Sequence, residues 1–514
     1  MIPKIEKDGK GIFTLYVKGE PFFCLAGEIH NSSASSLEYM ASEVWPRLKG
    51  LNMNSVIVPL YWECIEPEEG TYDFTLLDGL IEQARENRMK LIFLWFGLWK
   101  NAESMYVPGW MKKNPDIYFR ARKVRGEPLN TISPLCGKAV DKDAQAFAAV
   151  MKRIKALDEE ENTVLFMQVE NEIGLLGTAR DYSGSANEAF EAAVPSELAV
   201  KLGLESGKDW KGTFGDNSEE AFMAYHFASA VERITAAGQK EYPLPCYTNC
   251  WLKQYPWYPG SYPAGGPVPE MQPIWRAAAP SLFTLAPDIY VPYVPQVLDE
   301  YTTAENPLVI PEVRKDAVTA AYCLYAFGRH NAICYSPFGV EEMNMEPDMI
   351  DVPPMEVMRA LNIDPSAFDI AGSASYLAKA YDLVNQMKPL YLEYRGTEHL
   401  RSYIKKSETD YGIFLKFQEY DLQIAYSPRM PKQPIAGGMV YELECDRFLL
   451  VGMQSSFTFF PKPGKNQKVE ILRMEEGELV NGQWKPRRRF NGDEKMSLRL
   501  GDMPSCLMVQ LYPY

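Results

Sequence analysis

The sequence predicts a (β/α)8 barrel followed by an all-β domain, and three observations carry that reading. Eight short apolar runs alternate with amphipathic helical patterns from about residue 20 to residue 394. The runs are almost continuously apolar, as parallel strands covered on their outer face must be. After about residue 395 the helical periodicity stops, and short strands separated by turn residues replace it. The expected organisation is therefore a barrel with a small N-terminal hairpin over 1–394 and a β-rich accessory domain, sandwich or barrel, over 395–514.

The elements follow in order. Phe13, Leu15 and Val17 alternate with polar neighbours before Lys18-Gly19-Glu20-Pro21, which reads as a hairpin turn. Barrel strands are expected at 22–26, 54–60, 90–96, 163–169, 243–247, 285–290, 308–311 and 331–335. Helices are expected at 37–48, with Pro46 bending it, and at 74–84, 144–157, 221–237, 317–327 and 373–391. Eight such units fit a closed barrel with insertions better than an open sheet. No Gly-x-Gly-x-x-Gly or P-loop follows any strand, which argues against a doubly wound sheet. In the last part, strands are expected at 412–417, 422–426, 439–443, 448–451, 457–460, 468–474 and 507–511, with Asn481-Gly482 as a two-residue hairpin turn.

Bulk properties narrow the function. The 514 residues are 46% hydrophobic and 24% charged, ordinary for a globular chain with a large core. The formal net charge of −15 repels phosphate backbones and anionic lipid, so neither nucleic acid nor a membrane surface is an expected partner. The basic run Lys485-Pro486-Arg487-Arg488-Arg489 reads as a solvated strand end. Nine cysteines lack metal-type or disulfide-type spacing, and Cys24, Cys246, Cys323 and Cys334 sit in apolar runs. Buried reduced thiols and an N-terminus without an apolar signal core lead to the expectation of a cytoplasmic protein, or a periplasmic or secreted one if a signal has been removed. The four histidines, His30, His226, His330 and His399, are not at ligand spacing, so neither a metal nor another cofactor is expected.

In a barrel of this kind the reacting groups come from the C-terminal ends of the strands. The fourth strand runs from Phe166-Met167-Gln168-Val169 directly into Glu170-Asn171-Glu172, and the seventh from Leu308-Val309-Ile310-Pro311 into Glu312. Carboxylates so close to a core carry a desolvation cost that a purely structural role seldom justifies. If the fourth strand continued through them, Glu170 and Glu172 would share an orientation. Strands four and seven open at the same mouth, and retaining glycoside hydrolysis needs two carboxyls about 5–5.5 Å apart, one protonated and one ionised. Closely spaced acids reach that state because the first ionisation opposes the second.

These motifs, in this order, resemble glycoside hydrolase family 35, the β-galactosidases, within the large clan of retaining barrel glycosidases. The resemblance rests on Gly27-Glu28-Ile29-His30, on Trp45, Leu48 and Gly50-Leu51-Asn52, and on Trp62, Glu66-Pro67 and Gly70-Thr71-Tyr72-Asp73-Phe74. It continues through Asn101-Ala102-Glu103 and Val169-Glu170-Asn171-Glu172-Ile173-Gly174. It implies a retaining hydrolase that removes terminal β-linked galactose, with Glu172 as acid/base and Glu312 as nucleophile. It further implies that Asn171 binds the 2-hydroxyl, and that Asn101, the backbone of Ala102, and Glu103 hold the galactose hydroxyls. Three departures mark a divergent branch: Pro59 replaces a usual tyrosine (with Tyr61 nearby), Ile65 replaces a histidine, and Ser336-Pro337-Phe338-Gly339 only echoes a late Gly-Gly-Thr-Asn-Phe segment.

Lesser candidates for contact with a carbohydrate substrate are His30 and Glu28 after the first strand, Tyr61 and Trp62 after the second, and Tyr290 and Tyr335 at later strand ends. Trp251 opens an aromatic loop that either stacks on sugar rings or packs on a neighbouring loop or subunit. The stretch 341–358, rich in Met, Pro and acid, reads as a lid on the mouth or as a contact with the accessory domain. Other readings stay open. They are a barrel glycosidase of different sugar preference (a β-glucosidase or an arabinosidase), a non-catalytic glycan-binding barrel, a scaffolding role for the β domain, and a homo-oligomer assembled through it.

Overall fold

The computed structural model describes every residue of the chain except Asp351, Asn362, Asn466 and Asn481. A three-stranded antiparallel sheet, Lys4–Lys7, Phe13–Val17 and Glu20–Phe22, precedes the barrel, so the expected hairpin has one strand more. The barrel strands are Cys24–Leu25, Ser55–Tyr61, Lys90–Lys100, Val164–Asn171, Cys246–Trp251, Leu282–Ile289, Val309–Val313 and Cys334–Pro337. Each pairs in parallel with its sequence neighbour from strand two round to strand one. Glu28, just past the short first strand, bridges to both Ile57 and Phe338 and closes the ring. This is the (β/α)8 barrel that the alternating pattern predicts.

Local differences from the sequence reading have physical causes. The helix expected over 37–48 is split by a π turn, Met40–Val44, in which the Trp45 N–H reaches back to the Met40 carbonyl. The widened turn directly precedes Pro46, whose ring would otherwise press on the carbonyl four residues earlier. Strand three runs on to Lys100 with a register shift between Trp95 and Lys100, four residues past the expected end. Strand five begins three residues later than expected and ends at Trp251.

Beyond the helix Ser373–Tyr394, two antiparallel sheets of six and four strands stack around their own core, which includes Phe417, Leu422, Ile424, Phe448, Phe459 and Val509. Leu400–Ile404 and Arg499–Leu500 are strands without a counterpart in the sequence reading. The strand Gln483–Phe490 contains the basic run, in keeping with its reading as a solvated strand end. It is an exposed edge strand whose side chains show no apolar alternation, and Arg488 pairs there with Glu476. The expected turn residue Asn481 lies outside the described residues. The barrel helix Thr319–His330 packs directly on the β domain. An added Cβ at Gly328 would come within 2.6 Å of Ser402 and Met439 side-chain atoms.

Candidate active site

The barrel mouth is built where strands end, and strand four ends abruptly. Glu170 and Glu172 both take positive φ, 63° and 46°, as do Asn101 at 51° and Ala102 at 59°. Non-glycine residues rarely adopt this region, and such strain gathers at functional sites. The strand therefore does not carry Glu170 and Glu172 to one side. Glu170 turns into the protein, where its carboxyl accepts from the N–H groups of Leu98 at 3.1 Å and Trp99 at 2.6 Å. It lies against the buried Asp143, and burial together with that neighbour holds a proton on the pair. Gly97 lets the carboxyls approach, since a Cβ there would sit 2.4 Å from Asp143 Oδ2 and 2.5 Å from Glu170 Oε1.

Glu172 turns the other way, into a cavity of about 230 Å3 whose wall includes Lys100, Asn101, Trp251, Asp288, Tyr290 and Glu312. Glu312 accepts three hydrogen bonds there, from Tyr290 OH at 2.6 Å, Asn171 Nδ2 at 3.2 Å and Asn249 Nδ2 at 3.5 Å. Such a donor set suits an anion. Asn249 also accepts from the Glu172 N–H at 2.7 Å and donates to Asp288 Oδ2 at 2.6 Å, so one amide ties three acids together. Burial, then the nearby Glu312 carboxylate, raise the Glu172 pKa to about 8, with Lys100 and Asp288 pulling the other way. Burial and the surrounding carboxyls push Asp288 and Glu28 well above the usual carboxylate range. The site thus holds one carboxyl rich in donors beside one that keeps its proton at neutral pH.

The remaining candidates divide. Asn101, Trp251 and Tyr290 line the cavity, and Asn171 reaches it through Glu312. Glu28 is fully buried at the closure of the barrel, its carboxyl oxygens have no hydrogen-bond partner among the described residues, and it senses Glu312, Lys100 and Glu172. His30 stands outside the lining, with Nε2 2.9 Å from Glu342 and its ring edge-on to Phe338.

Other candidates are placed away from the cavity. Ala102 spends its N–H on the Glu172 carbonyl and its carbonyl on Thr131, and Glu103 accepts from Asn130. Tyr61 is buried, stacked on Tyr106 and edge-on to Phe96. Trp62 donates to Glu66 and packs on Trp95 and Trp110, because it already belongs to the helical turn after strand two. Tyr335 points outward, its hydroxyl bonded to Thr319 on the covering helix. The loop after strand eight supplies Leu361, Ile363 and Phe368 to the cavity wall, while the Asn344 side chain further back bonds to the Arg47 and Lys49 carbonyls. Lys100, Asn249 and Asp288 are site residues that the sequence reading missed. A larger cleft of about 450 Å3 on the β domain, between Phe457, Glu470 and Met496, is lined by one carboxylate, Glu470, among the described residues.

A (β/α)8 barrel with two carboxyls of opposite environment facing one cavity is the architecture of a barrel glycoside hydrolase. Residues 14–255 match the model of glycosyl hydrolases family 35. Glu172 lies inside this segment and Glu312 beyond it. Residues 377–500 match a domain of unknown function, DUF5597. Beta-galactosidase 14 of Arabidopsis thaliana is 24% identical over 213 residues, which are 39% of this chain and 22% of that protein. The alignment thus spans about a fifth of that relative's length. The crystal structure of a β-galactosidase from Bacillus circulans sp. alkalophilus is 10% identical, with a TM-score of 0.50 over 95% of this chain and 99% of that one. That likeness is one of fold.

Proposed function

We propose that this chain is a retaining β-glycosidase that releases terminal β-linked galactose from oligo- or polysaccharides by double displacement. The observation that carries the reading is that Glu172, whose pKa is raised to about 8, and Glu312, which accepts hydrogen bonds from Tyr290, Asn171 and Asn249, line one cavity. In the first step Glu172 gives its proton to the glycosidic oxygen while Glu312 attacks the anomeric carbon and the aglycone leaves. Charge on Glu312 disappears in the glycosyl ester. One of the forces raising the Glu172 pKa is then gone, and the carboxylate takes a proton from the incoming water. Water attack breaks the ester and restores both groups. Asn171 keeps one Nδ2 hydrogen on Glu312 and has a second to offer a sugar hydroxyl.

One observation favours a second sugar preference. Of the three residues that the family resemblance implies for holding galactose, only Asn101 lines the cavity, since Ala102 and Glu103 are bonded elsewhere. A β-glucoside or an arabinoside is the alternative glycone. A panel of nitrophenyl β-galactoside, β-glucoside, β-mannoside and α-L-arabinoside tests both readings. The β-galactoside is expected to give the highest kcat/KM. A higher value for another sugar would move the specificity, and no turnover of any would overturn the hydrolase.

A further inference from the structure

The site contains a cation that the proposed mechanism does not use. Lys100 ends barrel strand three, in parallel register with Asn171, and is only 4% exposed. Its Nζ donates to Asn101 Oδ1 at 2.7 Å and to Asn171 Oδ1 at 2.9 Å, and lies 5.1 Å from the centre of the Phe96 ring. Among the described residues it makes no direct ion pair. Burying an ammonium group without a contacting counter-ion is strongly unfavourable unless a field of opposite charge surrounds it. The carboxyls of Glu28 at the end of strand one and Glu172 at the end of strand four feel Lys100, and Glu312 and Asp288 complete the group.

The amide of Asn171 matters equally. A carboxamide can turn by half a rotation and exchange its donor and acceptor ends. With Lys100 holding Oδ1, Nδ2 must face Glu312. Turned over, the amide would set its oxygen against the Glu312 carboxylate and lose both bonds. Lys100 and Glu312 therefore act on the two ends of one side chain.

We infer that Lys100 is a positioning residue of this site: it fixes the amide of Asn171, and through it the hydrogen bond to Glu312, while supplying the positive charge that the surrounding carboxyls share. The inference rests on the glycosidase reading above. Glu172 is faced by Glu312 from strand seven, Asp288 from strand six, the Cys250 thiol from strand five and Lys100 from strand three. Lys100 is also faced by Glu28, with Glu341 behind it. Of these, Lys100 is the one cationic side chain; Lys253, which also lines the cavity, is paired with Glu270 at 2.8 Å. Its charge favours ionised Glu172, so its removal raises the pH at which Glu172 loses its proton.

The test compares the full-length wild type with Lys100→Met, Lys100→Gln and Lys100→Arg, measuring kcat, KM and the pH profile of kcat/KM on an activated β-glycoside. Met and Gln are expected to lower kcat at least tenfold and to move the alkaline limb upward by on the order of one pH unit. Arg is expected to keep the limb in place while losing part of kcat, because its planar fork cannot replace a point donor between two amides. Gln, close to Lys in length and polarity, carries the test if the Met variant does not fold by circular dichroism. An active wild type with unmoved limbs in the uncharged variants overturns the role of Lys100 alone. A wild type that turns over no glycoside overturns the hydrolase reading and this inference with it.

Discussion

Asn171 and Glu312, distant in the chain, are joined by a hydrogen bond from Nδ2 to Oε1 at 3.2 Å. Strands four and seven are not neighbours in the barrel, so this contact crosses the mouth instead of running along its rim. It ties Glu312 to the residue that directly precedes Glu172 in the chain.

Glu312 is held most closely by the Tyr290 hydroxyl, at 2.6 Å. Burial and Glu312 itself push the Tyr290 pKa well above its ordinary value, so it remains a donor throughout the working range. Tyr290→Phe removes one hydrogen bond to a charged group, worth roughly 1.5–3 kcal/mol. The expected loss in kcat/KM is roughly 10- to 100-fold by the same figure, with the folded state intact by circular dichroism. Steady-state kinetics on an activated glycoside reads it.

The pH profile follows from Glu172. The acid must be protonated to act, and its pKa is raised to about 8. The alkaline limb of kcat/KM, which reports the free enzyme, is therefore expected near pH 8, with activity falling above it. A limb near pH 5 would deny Glu172 the role of general acid.

The same shift has a stability consequence of definite sign. The folded state binds the Glu172 proton more tightly than the unfolded chain, whose glutamate titrates near 4.5. Between about pH 4.5 and pH 8 the folded state therefore holds more protons, and this residue lowers stability as pH rises. Glu172→Gln abolishes that contribution. The variant is expected to melt higher than wild type at pH 7, with the difference vanishing towards pH 4, in paired calorimetric scans.

Gly97 is required by the Glu170–Asp143 pair. A methyl group there would lie 2.4–2.5 Å from Asp143 Oδ2, Glu170 Oε1 and Trp95 Nε1, all of them fixed in a buried network. Gly97→Ala is expected to destabilise by about 1–3 kcal/mol, and to disturb Lys100 and Asn101 three and four residues on. Denaturant melts and kcat together check it, since the expected variant is both less stable and less active.

How much of this was legible depends on the residue. Glu172 and Glu312 stand out because an acid at the end of a largely apolar strand is costly, and the alternation of strands and helices places both strands in one barrel. Asn249 escaped because Thr248-Asn249 looks too polar for a strand interior. The sequence ends strand five at residue 247, whereas the strand continues to Trp251 and carries Asn249 near its end. Lys100 escapes similarly, since the apolar run ends the expected strand at Phe96 whereas the strand continues through a register shift to Lys100. Asp288 did leave a signal, an acid two residues before Tyr290 and on the same side of the strand. Trp62 and Tyr335 show the converse. Each stands at a strand end, but its side chain turns into the packing between barrel and helices, an orientation that spacing alone does not reveal.

The account is tested most directly by Glu312→Gly assayed with an activated β-galactoside, with and without azide, and with the product configuration read by NMR. It predicts a loss of several orders of magnitude without azide, and partial recovery with azide to give the α-configured galactosyl azide. Turnover at the wild-type rate, or an azide product of β configuration, would contradict the assignment of Glu312 as the nucleophile.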